Sequence, residues 1–351
     1  MTFDTLARHF EHQARVSADF GSPFYERFLA LIAKEVAQPP FAELFAPWMD
    51  APLRRLTEDA VALRLAGGLR DLILGGFVAD LARLFPPNAP GDDASLMAEA
   101  RRAAAANRDR LADFMRSPPQ TNDVGRSVAL LGGFLETARR TGLPLRCLEL
   151  GASAGLNLNW DAFRYDFGFQ GGWGDPASPV RLSVEARGAR PPLEVSATVA
   201  ERAACDQNPI DLADPAQVRR LQAYVWPDQA ERLARLNAAV AVAGARGARV
   251  HRADAADWAA LHARPKAGVA TVLYHSIFWQ YPPEVVRARL REIIAEAAAA
   301  ASVDAPFAWL RFEPTPDFVY QVRLTLWPGG KDLCLATAHT HGAWLDWEAP
   351  L

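Results

Sequence analysis

The sequence predicts an α/β protein, with an all-α N-terminal region over residues 1–118 and a mostly parallel α/β domain over residues 119–351. Three observations carry that prediction. Leu6, Phe10 and Ala14 recur at helical spacing near the start, and further helical stretches fill the first third. From residue 145 onward, short apolar runs alternate with helical stretches, the pattern of parallel strands joined by crossover helices. The first of those runs, Leu145–Leu150, breaks into Gly151-Ala-Ser-Ala-Gly155, whose small residues let the backbone turn sharply and approach a ligand.

Composition narrows the class. The 351 residues allow one large domain or two ordinary ones, and half of them are hydrophobic. The net charge is −3, with acidic and basic residues mixed along the chain. No basic block marks nucleic acid as an obligate partner, so a small-molecule or protein substrate is expected. Cys147, Cys205 and Cys334 are odd in number, far apart and form no CxxC pair, which fits a reducing compartment and no structural zinc. The N-terminus carries Asp4, Arg8, Glu11 and Arg15 in place of the apolar core of a signal peptide. No apolar run approaches the roughly 20 residues of a membrane span. The expectation is a soluble cytoplasmic protein with no membrane partner; oligomeric state is not legible.

In the first third, Ser22-Pro23 opens a second helix, with Ser as N-cap and Pro at the first helical position. Phe28, Leu29, Ile32 and Val36 form its apolar stripe, and Pro39-Pro40 ends it. Leu63–Leu84 predicts a buried helix or a helix pair broken near Gly75-Gly76. Residues 86–93 read as a loop, and Ser95 as the cap of a charged helix running to Met115. His9 and His12 have no metal-ligand neighbours and are expected to be solvated. This region reads as a helical cap without chemistry of its own; the alternative is that it closes over a substrate.

Before the central strand stands Ser117-Pro-Pro-Gln-Thr-Asn-Asp-Val-Gly-Arg-Ser127. Asn122 or Asp123 can cap a helix over Val124–Thr141. Arg126 falls in its first turn, where the helix dipole disfavours a cation, so an anionic partner is expected. Either it makes a structural salt bridge, or it holds a ligand carboxylate with a bidentate fork.

The spacing Glu149-x-Gly151-x-x-x-Gly155 is neither the dinucleotide fingerprint nor a P-loop. It resembles the first motif of class I S-adenosylmethionine-dependent methyltransferases, where the loop passes under the methionine part of the cofactor. The run Pro-Pro-Gln-Thr-Asn-Asp-Val-Gly-Arg126, the run Gly-Ala-Ser-Ala-Gly-Leu-Asn-Leu158, Asp161-x-x-x-Tyr165 and the closing Ala338-His-Thr-His-Gly342 also resemble an uncharacterised protein family. That family is grouped with methyltransferase-like α/β folds, and the resemblance covers nearly the whole chain. It implies a Rossmann-like, seven-stranded, mostly parallel sheet with a terminal antiparallel hairpin. It implies no established reaction. Under it, S-adenosylmethionine is the expected cofactor, and Asn122, Arg126, Glu149, Gly151, Ser153, Gly155 and Asn157 are the first cofactor-binding candidates.

Further along, residues 179–200 read as an inserted β-hairpin, which departs from the methyltransferase order. Ala203-Ala-Cys-Asp-Gln-Asn-Pro209 resembles that family's second-strand ending, where Asp206 accepts from the ribose hydroxyls; the alternative is a turn aspartate before Asn208-Pro209. Asp214-Pro215 and Trp226-Pro227-Asp228 open helices, and Trp226 is expected in a core. Ala248–Trp258 reads as strand, acidic turn and helix, with a structural His251. The resemblance assigns Asp254 to the adenine amino group, and Asp257 reads as the helix cap.

Val269–Leu273 is the clearest buried strand, and it turns polar and aromatic at Tyr274, His275 and Ser276. In the methyltransferase fold this tip faces the reacting methyl, so His275 is the candidate base, its ordinary pKa near 6.5 suiting that work. The alternative is a buried histidine bonded to backbone. Tyr274, Ser276, Trp279 and Tyr281 are the candidate substrate pocket. Ser276 lacks the Gly-x-Ser-x-Gly elbow of a hydrolase. Phe307–Glu313 forms a fifth strand whose final carboxylate, Glu313, either meets the substrate or makes an edge salt bridge. Val322–Trp327 and Asp332–Thr340 form a hairpin around Pro328-Gly-Gly330. His339 and His341 sit two apart on its second strand, half a metal site without a third ligand, so no metal is expected. The expected function is methyl transfer from S-adenosylmethionine to an unidentified acceptor. The alternatives are a non-catalytic scaffold binding a nucleoside or a protein, and another enzyme using His275 and Glu313.

Overall fold

The structure is a computed structural model and describes residues 3–247 and 249–348. Ala248, the head of the strand read at 248–251, lies outside the described residues. The chain divides into two compact units: Met1–Thr121 with Asp214–Ala234, and Asn122–Ala213 with Arg235–Leu351.

The first unit is helical. Helix Asp4–Asp19 buries Leu6, Phe10 and Ala14 along one face, and helix Pro23–Ala33 is capped by Ser22, which accepts from Tyr25 N. The Ser22 hydroxyl donates to Asp228 at 2.6 Å, and Asp228 also accepts from Phe24 N at 3.0 Å. The later segment is therefore built into the first helices. Tyr25, Phe10, Phe28, Phe41, Phe45 and Phe85 fill the core, with Trp226 packed against it. Helix Val61–Leu74 ends at Gly75-Gly76, where Gly76 takes φ 75. The charged helix is two, Asp93–Ala106 and Arg108–Arg116. Its cap is Asp92, which accepts from Ser95 N, so Ser95 lies one turn inside.

His9 corrects the expectation of a solvated side chain. It is 1% exposed, and its Nε2 accepts from Ala62 N at 3.2 Å, satisfying one of the orphan donors that open helix Val61–Leu74. Its histidine spacing says nothing of this, because the partner is 53 residues away. Burial, with help from the nearby His12 charge, lowers its pKa to about 4. The unfolded chain then takes up a proton near pH 6.5 that the folded unit refuses until about pH 4. Stability is therefore full above pH 6.5 and falls by about 1.4 kcal/mol per unit on acidification through that window. In denaturant titrations from pH 7 to 4, the difference in stability between wild type and His9→Gln is expected to show this slope.

The second unit is a layered α/β structure. Its strands are β1 (Leu145–Leu150), β2 (Arg164–Asp166), β3 (Gly172–Trp173), β4 (Arg181–Ser183), β5 (Glu185–Gly188) and β6 (Val199–Asp206). They continue as β7 (Val250–Arg252), β8 (Ala270–Ser276), β9 (Phe307–Pro314), β10 (Tyr320–Trp327), β11 (Lys331–Ala338) and β12 (Trp344–Trp347). The main sheet has nine strands in the order β5-β12-β11-β10-β9-β8-β1-β6-β7, and β2, β3 and β4 form a small second sheet. Strands β7, β6, β1, β8 and β9 are mutually parallel. The pairs β9–β10, β10–β11 and β11–β12 are antiparallel.

Two expectations change here. The main sheet has nine strands rather than seven, because β12 and β5 extend it past the terminal hairpin. The segment 179–200 forms no hairpin: β4 joins β2 in the small sheet, and β5 pairs in parallel with β12. Partners so distant in sequence leave no local signal.

Side chains alternate across the strands. Leu148, Leu150, Leu273 and Phe307 pack against helices Ala255–His262 and Glu284–Ala299. The opposite face receives helix Arg126–Thr141. That helix sits close because Gly133 has no side chain: a Cβ there would lie 2.3 Å from Leu310 Cδ1. Its Phe134 stacks on the buried Trp160 with centroids 4.3 Å apart, and Tyr274 meets Phe134 edge-on at 5.0 Å.

Candidate functional site

In an open parallel sheet, ligands bind beyond the carboxyl ends of the strands, where the winding direction reverses. Here β1 is flanked by β6 on one side and β8 on the other. The reversal therefore lies between β1 and β8, and the loops after β1, β6, β8 and β9 surround it. A separate observation marks this edge. Among the described residues of this unit, three that are not glycine have positive φ: Ser153 at 54, Ile277 at 49 and Phe318 at 59. They lie in the loops following β1, β8 and β9. Positive φ is costly for a β-branched or aromatic residue, and such strain gathers at functional sites.

The loop after β1 is held from several directions. Gly151 and Gly155 take φ 67 and 69. A Cβ on Gly151 would lie 2.3 Å from the Phe278 ring, so that ring rests directly on the loop. Asp206, at the tip of β6, accepts from Ser153 N at 2.9 Å and from Asn208 N at 2.8 Å. Both oxygens of the candidate ribose ligand thus hold backbone, the turn role included. Asn122 accepts from Leu156 N at 2.8 Å, and Asn157 donates to the Asp123 carbonyl at 3.1 Å. Asp123 accepts from Gly125 N, and its other oxygen lies 2.6 Å from His341 Nδ1. A Cβ on Gly342 would lie 2.3 Å from the Gly125 carbonyl oxygen. The Asn122–Arg126, Gly151–Leu158 and Ala338–Gly342 motifs, far apart in sequence, therefore form one knot.

Glu149 and Tyr274 face each other across the β1–β8 pair. The Tyr274 hydroxyl donates to Glu149 Oε2 at 3.1 Å. Glu149 is 2% exposed. Burial pushes its carboxyl up to about 8, assisted by the neighbouring Asp206 charge and opposed by the Tyr274 bond and the Arg126 charge. At neutral pH it is mostly protonated. Burial likewise raises the Tyr274 hydroxyl well above its usual range. Arg126 donates through Nη1 to the Ser276 carbonyl at 3.2 Å, while its Nε is buried without a hydrogen-bond partner. The Ser153 hydroxyl and Asn157 Oδ1 are also buried and unpaired. Buried polar groups are normally satisfied, so three unpaired ones in segments joined by this knot suit a polar ligand.

His275 follows Tyr274 but points to the opposite sheet face, and is fully buried. Its Nδ1 lies 2.6 Å from Glu313 Oε1, and its Nε2 accepts from Trp309 Nε1 at 3.1 Å. Both ring nitrogens are thus engaged, with the Nδ1 proton on the Glu313 side. The Trp279 ring stacks on it at 5.2 Å. Glu313 Oε1 also accepts from Phe278 N at 2.9 Å and Trp279 N at 3.3 Å. Arg126 on one side and Glu313 on the other thereby clamp the strained turn at Ile277. Tyr281 stands exposed at 71%, and Ser276 is buried.

The remaining candidates serve structure. Asp254 caps helix Ala255–His262, accepting from Ala256 N and Asp257 N. Asp257 pairs with Arg289 instead of capping. His251 accepts from Trp258 Nε1. His339 and His341 lie in the turn after β11 rather than on the strand. Among the described residues no three His, Cys, Asp or Glu side chains are grouped to hold a metal. Nor is any helix there long and apolar enough to cross a membrane. Sequence reasoning missed Ile277 and Tyr320. Tyr320 opens β10, is half-buried, and lies against Phe312 with ring centroids 5.9 Å apart. Only its position after the Pro314–Phe318 turn hinted at it.

Fold and site together define an α/β protein with a polar, strained ligand-type edge at the reversal of its parallel sheet. Residues 7–347 match the family described as "uncharacterized protein conserved in bacteria (DUF2332)", and the chain belongs to that family. No curated protein and no solved structure matches it.

Proposed function

We propose that the second unit binds S-adenosylmethionine at the carboxyl ends of β1, β6 and β8 and transfers its methyl group to a small-molecule or protein acceptor. The observation that carries this reading is the position of the Gly151–Gly155 turn. It lies at the reversal point of a parallel sheet, between the β6 tip with Asp206 and the Arg126 helix. A methionine carboxylate there would meet Arg126, whose Nε lacks a partner, and an ammonium group would meet Glu149. The reaction is an in-line displacement at the sulfonium methyl, accelerated chiefly by positioning. His275 fits the role of holding Glu313 and the Ile277 turn better than that of a free base, because both ring nitrogens are occupied.

One observation favours a second reading, a non-catalytic scaffold. The Phe278 ring lies against Gly151, and Asp206 already serves two backbone amides. A ligand along the loop requires that ring to rotate away. Calorimetric titration with S-adenosylmethionine and S-adenosylhomocysteine separates the two. Micromolar binding by the wild type, weakened roughly ten- to a hundredfold in Arg126→Gln by loss of a charge-assisted contact, is the expected result. Folded wild-type protein that binds neither compound sinks the methyltransferase reading in favour of the scaffold.

A further inference from the structure

Glu313 holds one carboxylate oxygen in reserve. Oε1 takes His275 Nδ1 and the amides of Phe278 and Trp279. Oε2 is buried and has no hydrogen-bond partner, although the side chain as a whole keeps 16% exposure. A carboxylate oxygen left without a donor in a folded protein calls for one. Around it the strand ends carry an apolar and aromatic rim. On one side Tyr281 N donates to the Phe278 carbonyl, in the turn whose amides hold Glu313; on the other, the Pro314–Val319 turn follows Glu313 directly. Phe318, 80% exposed and held at φ 59, belongs to the same tight turn, in which Thr315 N donates to the Val319 carbonyl. Val319 and Val285 are exposed beside these elements in sequence. Single exposed apolar residues are ordinary; several on the loops flanking an unpaired buried carboxylate, one of them strained, are not.

We propose that Glu313 is the recognition group for the acceptor, and that the acceptor is an amine carried on an apolar or aromatic body. The cationic nitrogen gives Oε2 the donor it lacks, while Tyr281 offers a ring face to the charge and Phe318 contacts the body. This rests on the methyltransferase reading for its chemistry but not for its binding. In the reaction, the bound ammonium gives one proton to Glu313 Oε2, which frees the nitrogen lone pair. That pair forms the bond to the sulfonium methyl as the carbon–sulfur pair withdraws onto sulfur. The products are an N-methylammonium, a neutral thioether and a protonated Glu313, which returns its proton to solvent.

The test is calorimetric titration of the full chain with phenethylamine, tryptamine and octylamine, against 2-phenylethanol and 3-phenylpropionate, each with and without S-adenosylhomocysteine. At least one amine is expected to bind, and about tenfold more tightly than the alcohol and carboxylate. Glu313→Gln keeps the acceptor for the turn amides but removes the charge, and is expected to erase that preference. Tyr281→Ala, at an exposed position that leaves folding intact, is expected to weaken the amine about threefold or more. Absence of binding by all three amines to folded protein, equal binding of amine and alcohol, or an amine preference that survives Glu313→Gln overturns the proposal. Amine binding without any S-adenosylmethionine binding upholds the amine site and removes the methyl-transfer step. S-Adenosylmethionine binding without amine binding does the reverse.

Discussion

Replacing Glu149 with glutamine is expected to stabilise the second unit by about 3 kcal/mol at pH 7, and by less than about 1 kcal/mol at pH 5. The reason lies in where the proton sits. Burial raises this carboxyl from 4.5 to about 8, so between those values the folded unit keeps a proton that the unfolded chain has released. The contribution of this group to wild-type stability therefore declines as pH rises through that window, by about 1.4 kcal/mol per unit, and vanishes below it. Glutamine retains an oxygen for the Tyr274 hydroxyl and has no proton to lose. Denaturant midpoints of both proteins at pH 5, 7 and 8 check the effect. Parallel curves would mean that Glu149 is ionised in the folded state and better solvated than its burial indicates. The same carboxyl gives the proposed cofactor site a pH signature. An ammonium bound beside it favours the ionised form, so binding near pH 7 is accompanied by proton release.

The second large effect is expected from Trp160→Ala. Trp160 is fully buried, stacks on Phe134, and lies 5.4 Å from the Trp173 ring. Truncating a buried aromatic of this size costs about 3–5 kcal/mol. For a unit of this size that is roughly a 10 °C fall in Tm. The loss should extend beyond stability. Phe134 touches Tyr274, which bonds Glu149, and Trp160 lies in the 3-10 helix that follows the Gly151–Gly155 turn. Ligand affinity at that turn is therefore expected to fall together with Tm. Trp160→Phe, which keeps a ring on Phe134, should recover part of both. Thermal melts and titrations on the two variants would separate a local packing defect from a general one.

Much of the core framework was legible because its signals are local. The run Leu145–Leu150 ending in Gly151, the Val269–Leu273 strand and the Ser22-Pro23 helix start each depend on neighbouring residues, and each appears where its chemistry places it. The edges of the sheet were not legible. β5 finds its partner in β12, some 160 residues later, and nothing in Glu185–Gly188 encodes that choice over a hairpin. Sequence picked out the site's strand tips through their carboxylates and glycines. It could not show that Tyr274 and His275, adjacent in the chain, serve opposite faces of the sheet. Nor could it show that His275 is occupied at both nitrogens, or that Ile277 carries the strain of the turn. His9 and Ser95 were misread for one reason: capping partners are chosen in three dimensions, and a plausible local candidate loses to a better-placed neighbour.

The first unit is not contiguous in the chain. Asp228 ties Ser22 and Phe24, and Arg219 pairs with Asp71 at 2.8 Å, yet both arrive only after β6 of the second unit has been made. During synthesis the N-terminal helices therefore wait for some hundred residues of another unit before Arg219, Trp226 and Asp228 reach them. The apolar patches that Trp226 and Tyr224 later cover stay open to aggregation and chaperone capture for that interval. The same connectivity means that no single cut releases either unit whole. Loss of residues 214–234 would leave the first unit with an open seam, and deletion of residues 1–121 would strip that segment of the partners of Leu221, Tyr224 and Asp228.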